Sequence, residues 1–93
     1  MLNLGIIGYG YWGPNIARNF YGCQGANLVS ICDSKEDRLK LALSTYPGIK
    51  GYSDPDDLIK SDDIQAVAVP HQCHYAITKD FLRRGVRCLC ENH

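Results

Sequence analysis

Three glycines and one acid are the first residues whose types and spacing could do chemistry. Gly8, Gly10 and Gly13 stand as G-x-G-x-x-G within Gly8-Tyr9-Gly10-Tyr11-Trp12-Gly13, and Asp33 lies twenty residues past the last of them. The first glycine of such a pattern permits a tight turn off a strand. The second leaves bare backbone that a pyrophosphate can approach, and the third lets a helix pack close to the strand. The free N–H groups and positive dipole end at that helix start favour an anion. A carboxylate at the end of the next strand can accept hydrogen bonds from ribose hydroxyls. Taken singly, each feature has a plainer reading: glycines for packing, Asp33 for a strand-end cap. Strand, glycine turn, helix, strand and acid at this spacing form the dinucleotide-binding fingerprint.

The elements that must position these residues follow from the hydropathy pattern. Leu2 to Ile7 reads as a buried strand running into the glycine turn. Pro14 to Tyr21 reads as a helix with Ile16, Ala17 and Phe20 on its inner side, ended by Gly22 and Gly25. Asn27 to Cys32 is strand two. Ser34, with Asp37 three residues on, predicts a capped start for helix two, which runs to Thr45 with Leu39, Ala42 and Leu43 inward. Pro47-Gly48 stops it. Ile49 to Tyr52 gives a short strand, and Asp54-Pro55-Asp56-Asp57 opens a brief helix through Lys60. Gln65 to Val69 is apolar on both faces, as a central parallel strand should be. A loop at 70–74, a helix over Tyr75 to Arg84 stopped by Gly85, and a strand over Val86 to Glu91 complete the chain.

This alternation predicts an α/β domain over residues 1–93, a Rossmann-type doubly wound parallel sheet of about five strands. Neither the sixth strand of such folds nor a substrate domain is expected within these 93 residues, which would leave strand five as a bare apolar edge. The chain is therefore expected to be the first part of a longer two-domain protein.

Composition narrows the function classes. Ten basic and ten acidic side chains cancel, and 45% of residues are apolar. A globular domain is expected, with neither a basic face for nucleic acid nor an apolar run long enough for a membrane. The start lacks a charged leader, so a cytoplasmic location is expected. Five cysteines without C-x-x-C do not suggest a disulfide framework. Cys32, Cys88 and Cys90 fall in strands and read as small buried hydrophobes; the last two share a strand face, which leaves a redox role as the lesser reading. His71, Cys73 and His74 lack a fourth ligand of suitable spacing, so no metal is expected. Tyr9, Tyr11 and Trp12 have no basic residues interleaved, which argues against stacking on nucleic acid bases.

Three stretches resemble the N-terminal domain of the glucose–fructose oxidoreductase / inositol dehydrogenase (Gfo/Idh/MocA) family. Ile7-Gly8-Tyr9-Gly10-Tyr11-Trp12-Gly13-Pro14-Asn15-Ile16 is similar to members that oxidise nucleotide-linked N-acetylated sugars at the 3-position. Ala68-Val69-Pro70-His71-Gln72-Cys73-His74-Tyr75 is similar to the family's A-T-P-x-x-x-H-Y loop, and Cys88-Leu89-Cys90-Glu91 to the lead-in to its E-K-P motif.

The resemblance implies NAD, with NADP the less favoured cofactor, and hydride transfer with a sugar alcohol. It implies that Gly8, Gly10 and Gly13, with Tyr11 and Trp12, cradle the pyrophosphate and that Asp33 holds the adenosine ribose. Val69 and Pro70 would lie near the nicotinamide ribose, His74 would brace that loop, and Glu91 would reach the cofactor from strand five. Two motifs depart from the pattern, at three positions. Val69 replaces the family's threonine, and Asn92-His93 replaces Lys-Pro. Asparagine can donate a hydrogen bond but carries no charge and exchanges no proton at neutral pH, so the catalytic group is left unassigned. The expected partners are the cofactor and a sugar or nucleotide-sugar reached through a second domain, and a homo-oligomer is expected at full length. Two functions stay open: the cofactor-binding part of a sugar dehydrogenase, or a non-catalytic dinucleotide-binding module.

Overall fold

The computed structural model describes residues 2–10, 13–22, 24–61, 63–69, 83 and 85–90. In chain order the elements are β1 (Leu2–Ile7), α1 (Gly13–Tyr21), β2 (Ala26–Cys32), α2 (Glu36–Thr45), β3 (Lys50–Tyr52), α3 (Pro55–Ile59), β4 (Ala66–Val69) and β5 (Arg87–Cys90). The five strands form one parallel sheet in the order β3-β2-β1-β4-β5. The chain moves outward from β1 through β2 to β3, then returns to place β4 on the other side of β1. That reversal creates a switch point, and the crevice beyond the strand ends there is where open α/β sheets bind ligands.

Side-chain alternation along the strands builds two apolar layers. Leu4, Ile6, Leu28, Ile31, Ala66 and Ala68 face the layer that holds Ala17 of α1 and Ala42 of α2. Ile7, Cys32, Val67 and Val69 face the opposite layer, with Leu58 and Ile59 of α3. Burial on both faces explains why β4 reads as an unbroken Ala-Val-Ala-Val run. The expected inner side of α1 holds, with Ala17 buried and Ile16 and Phe20 packed against the core.

The β1–β2 ladder is irregular at one place. Leu4 pairs with Leu28, but Gly5 pairs with Ser30, so Val29 is an extra residue in β2. Such bulges bend the strand and increase its local twist.

Two expectations about α2 need correction. Helix two does not start on a Ser34 cap. Lys35 stands at the cap position without a side-chain cap bond, and its N–H donates to Asp33 Oδ1 at 2.8 Å. The carboxylate of Asp33 closes the turn that the Ser34 hydroxyl was expected to close. Leu43 is not inward in the ordinary sense, since it stays 37% exposed. Its methyl groups, with one of Leu39, cover the flat surface left by Gly51 on the edge strand β3. The start of α3 is as expected: Asp54 accepts from the Asp56 N–H, and Pro55 occupies the first turn. The helix over Tyr75 to Arg84 lies outside the described residues except at Arg83, which is helical.

Candidate functional site

The glycine turn leaves β1 at a position only glycine takes easily. Gly8 has φ of +93°, in the region that L side chains rarely adopt. Its N–H donates to the Cys32 carbonyl at 2.7 Å, which continues the β1–β2 pairing one residue past the strand. Gly13 is required for another reason: a Cβ there would overlap the Gly8 carbonyl oxygen. Gly8 and Gly13 thus close the turn against itself.

Gly10 plays a different part. It is exposed and has no positive φ, and a Cβ on it would lie 2.6 Å from one terminal nitrogen of Arg38. The bare backbone at Gly10 faces outward into a cleft of about 400 Å³, lined among others by Gly8, Gly13, Asp33, Ser34, Arg38 and Ser53. The α1 N-terminus opens at Gly13 beside it.

Asp33 sits at the end of β2 and is only 7% exposed. Each carboxylate oxygen accepts one backbone N–H: Oδ2 from Tyr9 and Oδ1 from Lys35, both at 2.8 Å. Its own N–H donates to the Tyr52 carbonyl at 3.0 Å, anchoring it to β3 as well. An ionised carboxylate offers about four acceptor positions, so each oxygen keeps one for a further donor. A buried acid held this way joins the glycine turn to the β2–α2 turn across the mouth of the cleft.

Of the residues expected at the site, Gly8, Gly10, Gly13 and Asp33 line this one cleft. Val69 ends β4 but is only 1% exposed and packs into the α3 layer; from β4 it is Ala68 that lines the cleft. Tyr11, Trp12, Pro70, His74, Glu91 and Asn92 lie outside the described residues. So do His71, Cys73 and the side chains of Cys88 and Cys90.

Arg38 is the lining residue that sequence reading passed over. The residues next to Asp33, where an arginine for a 2′-phosphate usually stands, are Ser34 and Lys35. The signal lay five positions past Asp33, in the first turn of α2. Side chains on a helix lean toward its N-terminus, and here that direction is the cleft. Among the described residues no acid pairs with the Arg38 guanidinium.

A dinucleotide fits these residues. There is bare backbone at Gly10 for a diphosphate, a helix start for its charge, a buried carboxylate with spare acceptor positions for hydroxyls, and a guanidinium at the rim.

Known proteins give this arrangement a lineage. Residues 2–92 match the profile of the oxidoreductase family with an NAD-binding Rossmann fold, GFO/IDH/MocA. Inositol 2-dehydrogenase 4 of Saccharopolyspora erythraea is 30% identical over 97% of this chain and 28% of its own length. D-glucoside 3-dehydrogenase of Escherichia coli is 26% identical over 97% of this chain and 26% of its own. The crystal structure of scyllo-inositol dehydrogenase from Lactobacillus casei, with bound NAD(H) and scyllo-inositol, superposes with a TM-score of 0.88 at 26% identity, over 98% of this chain and 28% of that one. The chain thus spans little more than a quarter of these relatives' length. It belongs to the GFO/IDH/MocA oxidoreductase family and forms that family's NAD-binding Rossmann domain.

Proposed function

We propose that this chain is the cofactor-binding part of an NAD-dependent dehydrogenase that oxidises a secondary alcohol on a six-membered polyol or sugar ring. The observation that carries the reading is the cleft at the switch point, where bare Gly10 backbone, the α1 start and the buried Asp33 carboxylate converge. The bound nicotinamide would supply the hydride acceptor. The chain's own residues bind and orient: the glycine turn holds the diphosphate, and Asp33 accepts from the adenosine ribose hydroxyls. Inositol and glucoside dehydrogenases among the relatives support a ring alcohol as substrate. The wording of the glycine turn is the ground for a nucleotide-linked sugar within that class.

NAD should bind more tightly than NADP, because a 2′-phosphate beside Asp33 would bring like charges together. Arg38 at the rim offers that phosphate a partner, so the preference should be graded rather than absolute. Calorimetric titration of both cofactors at fixed salt tests this. Asp33→Ser should weaken NAD and narrow the gap, while Arg38→Ala should widen it. Tighter NADP than NAD binding by the parent protein would mean that Asp33 does not meet the ribose.

The second reading, a binding module without catalysis, rests on Asn92 in place of the family's lysine. A dehydrogenase assay of the full-length protein separates the two, since steady reduction of NAD on any ring polyol would exclude the module.

A further inference from the structure

Tyr9 lies between the two glycines that shape the turn, yet its side chain points away from the cleft. It is 5% exposed and belongs to the α1/α2 layer together with Ala17, Ala42 and Tyr46. Its hydroxyl lies close enough to the side chains of Tyr46 and Thr45, at the C-terminal end of α2, for both to influence its ionisation. Tyr46 in turn packs against Tyr21, the last residue of α1, with ring centroids 4.7 Å apart and the rings tilted by 47°. A Cβ on Gly13 would stand 3.5 Å from the Tyr9 ring, so the ring also lies beneath the point where α1 begins. The backbone of the same residue points the other way, its N–H donating to Asp33 Oδ2.

One residue is therefore fixed at both ends, by its ring in the core and by its amide on the acid of the cleft. The exposed Gly10 follows directly after this anchored residue. A turn meant to receive a diphosphate needs its amides aimed before the ligand arrives, since ordering them on binding would weaken affinity. Glycine-rich backbone does not hold such a shape by itself.

We propose that Tyr9 is a positioning residue, which uses its packing on Tyr46 and its amide bond to Asp33 to hold the glycine turn in diphosphate-receiving form. It touches no cofactor atom and acts through the backbone of Gly8 and Gly10. The proposal rests on the cofactor reading given above. Removing the ring should loosen the diphosphate subsite while leaving the adenosine subsite nearly intact.

The test compares ligands with and without the diphosphate. The dissociation constants of ADP and of adenosine are measured by NMR titration for the parent protein, Tyr9→Phe, Tyr9→Leu and Tyr46→Leu. In Tyr9→Leu, ADP affinity should fall at least about tenfold while adenosine affinity stays within about twofold, from the loss of preorganised charge-assisted hydrogen bonds. Tyr9→Phe should recover most of the ADP affinity, because the ring remains. Exchange of the residue-9 amide with deuterated water should quicken in the leucine variant as its bond to Asp33 loosens. Tyr46→Leu, which leaves the turn's own sequence untouched, should move the same ratio in the same direction, and it decides the matter if Tyr9→Leu does not fold. Equal losses for both ligands, or no loss for ADP in a folded Tyr9→Leu or Tyr46→Leu, would overturn the proposal. Absence of ADP binding by the parent protein would instead overturn the cofactor reading, and this proposal with it.

Discussion

Ser30 shows how a single side chain can work against its surroundings. It is fully buried in β2, and its hydroxyl has no hydrogen-bond partner among the described residues. The absent side chain of Gly5 leaves it room, with Leu58 and Ile64 closing the space. An unsatisfied buried polar group costs about 1–3 kcal/mol. Ser30→Ala should therefore stabilise the domain by about 1 kcal/mol, which raises the thermal midpoint by about 4–8 °C in a domain of this size. Calorimetric melting of the two proteins checks it, and a lower midpoint for the alanine variant would show that the hydroxyl has a partner after all. Tyr9 gives a pH effect at the same scale. Burial first, then the neighbouring Tyr46 hydroxyl, raises its pKa above the ordinary 10.0. Once unfolded, the phenol ionises near that ordinary value, so above it the unfolded chain holds fewer protons than the native one. Stability from this group is thus complete below pH 10 and falls as pH rises further. Denaturant titrations on either side of pH 10 should show the decline, and Tyr9→Phe should flatten it.

At the scale of the element, the turn between β1 and α1 contains two kinds of glycine, and substitution should tell them apart. Gly13 meets rigid backbone, the Gly8 carbonyl, so Gly13→Ala must open the turn or displace α1. A loss of about 1–3 kcal/mol is expected, the usual cost of overpacking. Gly10 meets only the end of the Arg38 side chain, which can swing aside. Gly10→Val should remain folded and lose cofactor affinity by about 3 kcal/mol, since charged hydrogen bonds of about 1.5–3 kcal/mol each would be displaced. Unchanged NAD affinity in a folded Gly10→Val protein would move the diphosphate elsewhere. Element boundaries were legible in the sequence because strand and helix periods alternate cleanly, and Asp54-Pro55 is a local signal that needs no tertiary help. The start of α2 was not legible, because the group that closes it is Asp33, whose carboxylate is also held by Tyr9 across the sheet. Arg38 escaped notice for a like reason: nothing in the residues beside Asp33 reveals that a helix turn brings a guanidinium back over Gly10. Local chemistry could be read directly, whereas contacts between residues far apart in the chain could not.

For the whole molecule, the sheet order places the glycine turn and Asp33 side by side on the central strands β1 and β2, away from both edges. That much followed from the fingerprint, because its spacing fixes which strand carries which residue. The substrate did not follow, since this chain spans little more than a quarter of its relatives' length. The 93 residues expressed alone should bind NAD yet give no steady turnover with inositols, glucosides or nucleotide sugars. Absorbance of the reduced cofactor measures it, and activity that survives repurification would place the catalytic group within this chain. Asn92→Lys in the full-length protein should leave NAD affinity nearly unchanged and raise turnover if that position carries the proton-exchanging group.

The bulge at Val29 bears on how freely this domain can change length. Leu28 and Ser30 already pair with consecutive residues of β1, and they already face opposite layers. Deleting Val29 would thus yield an ordinary ladder in which no side chain inverts. What the deletion would remove is the local bend that aims the far end of β2, where Asp33 stands. A one-residue indel at this point is therefore a dial on the angle of the acid and not a frameshift of the sheet, and a folded variant with a re-aimed Asp33 is its expected product.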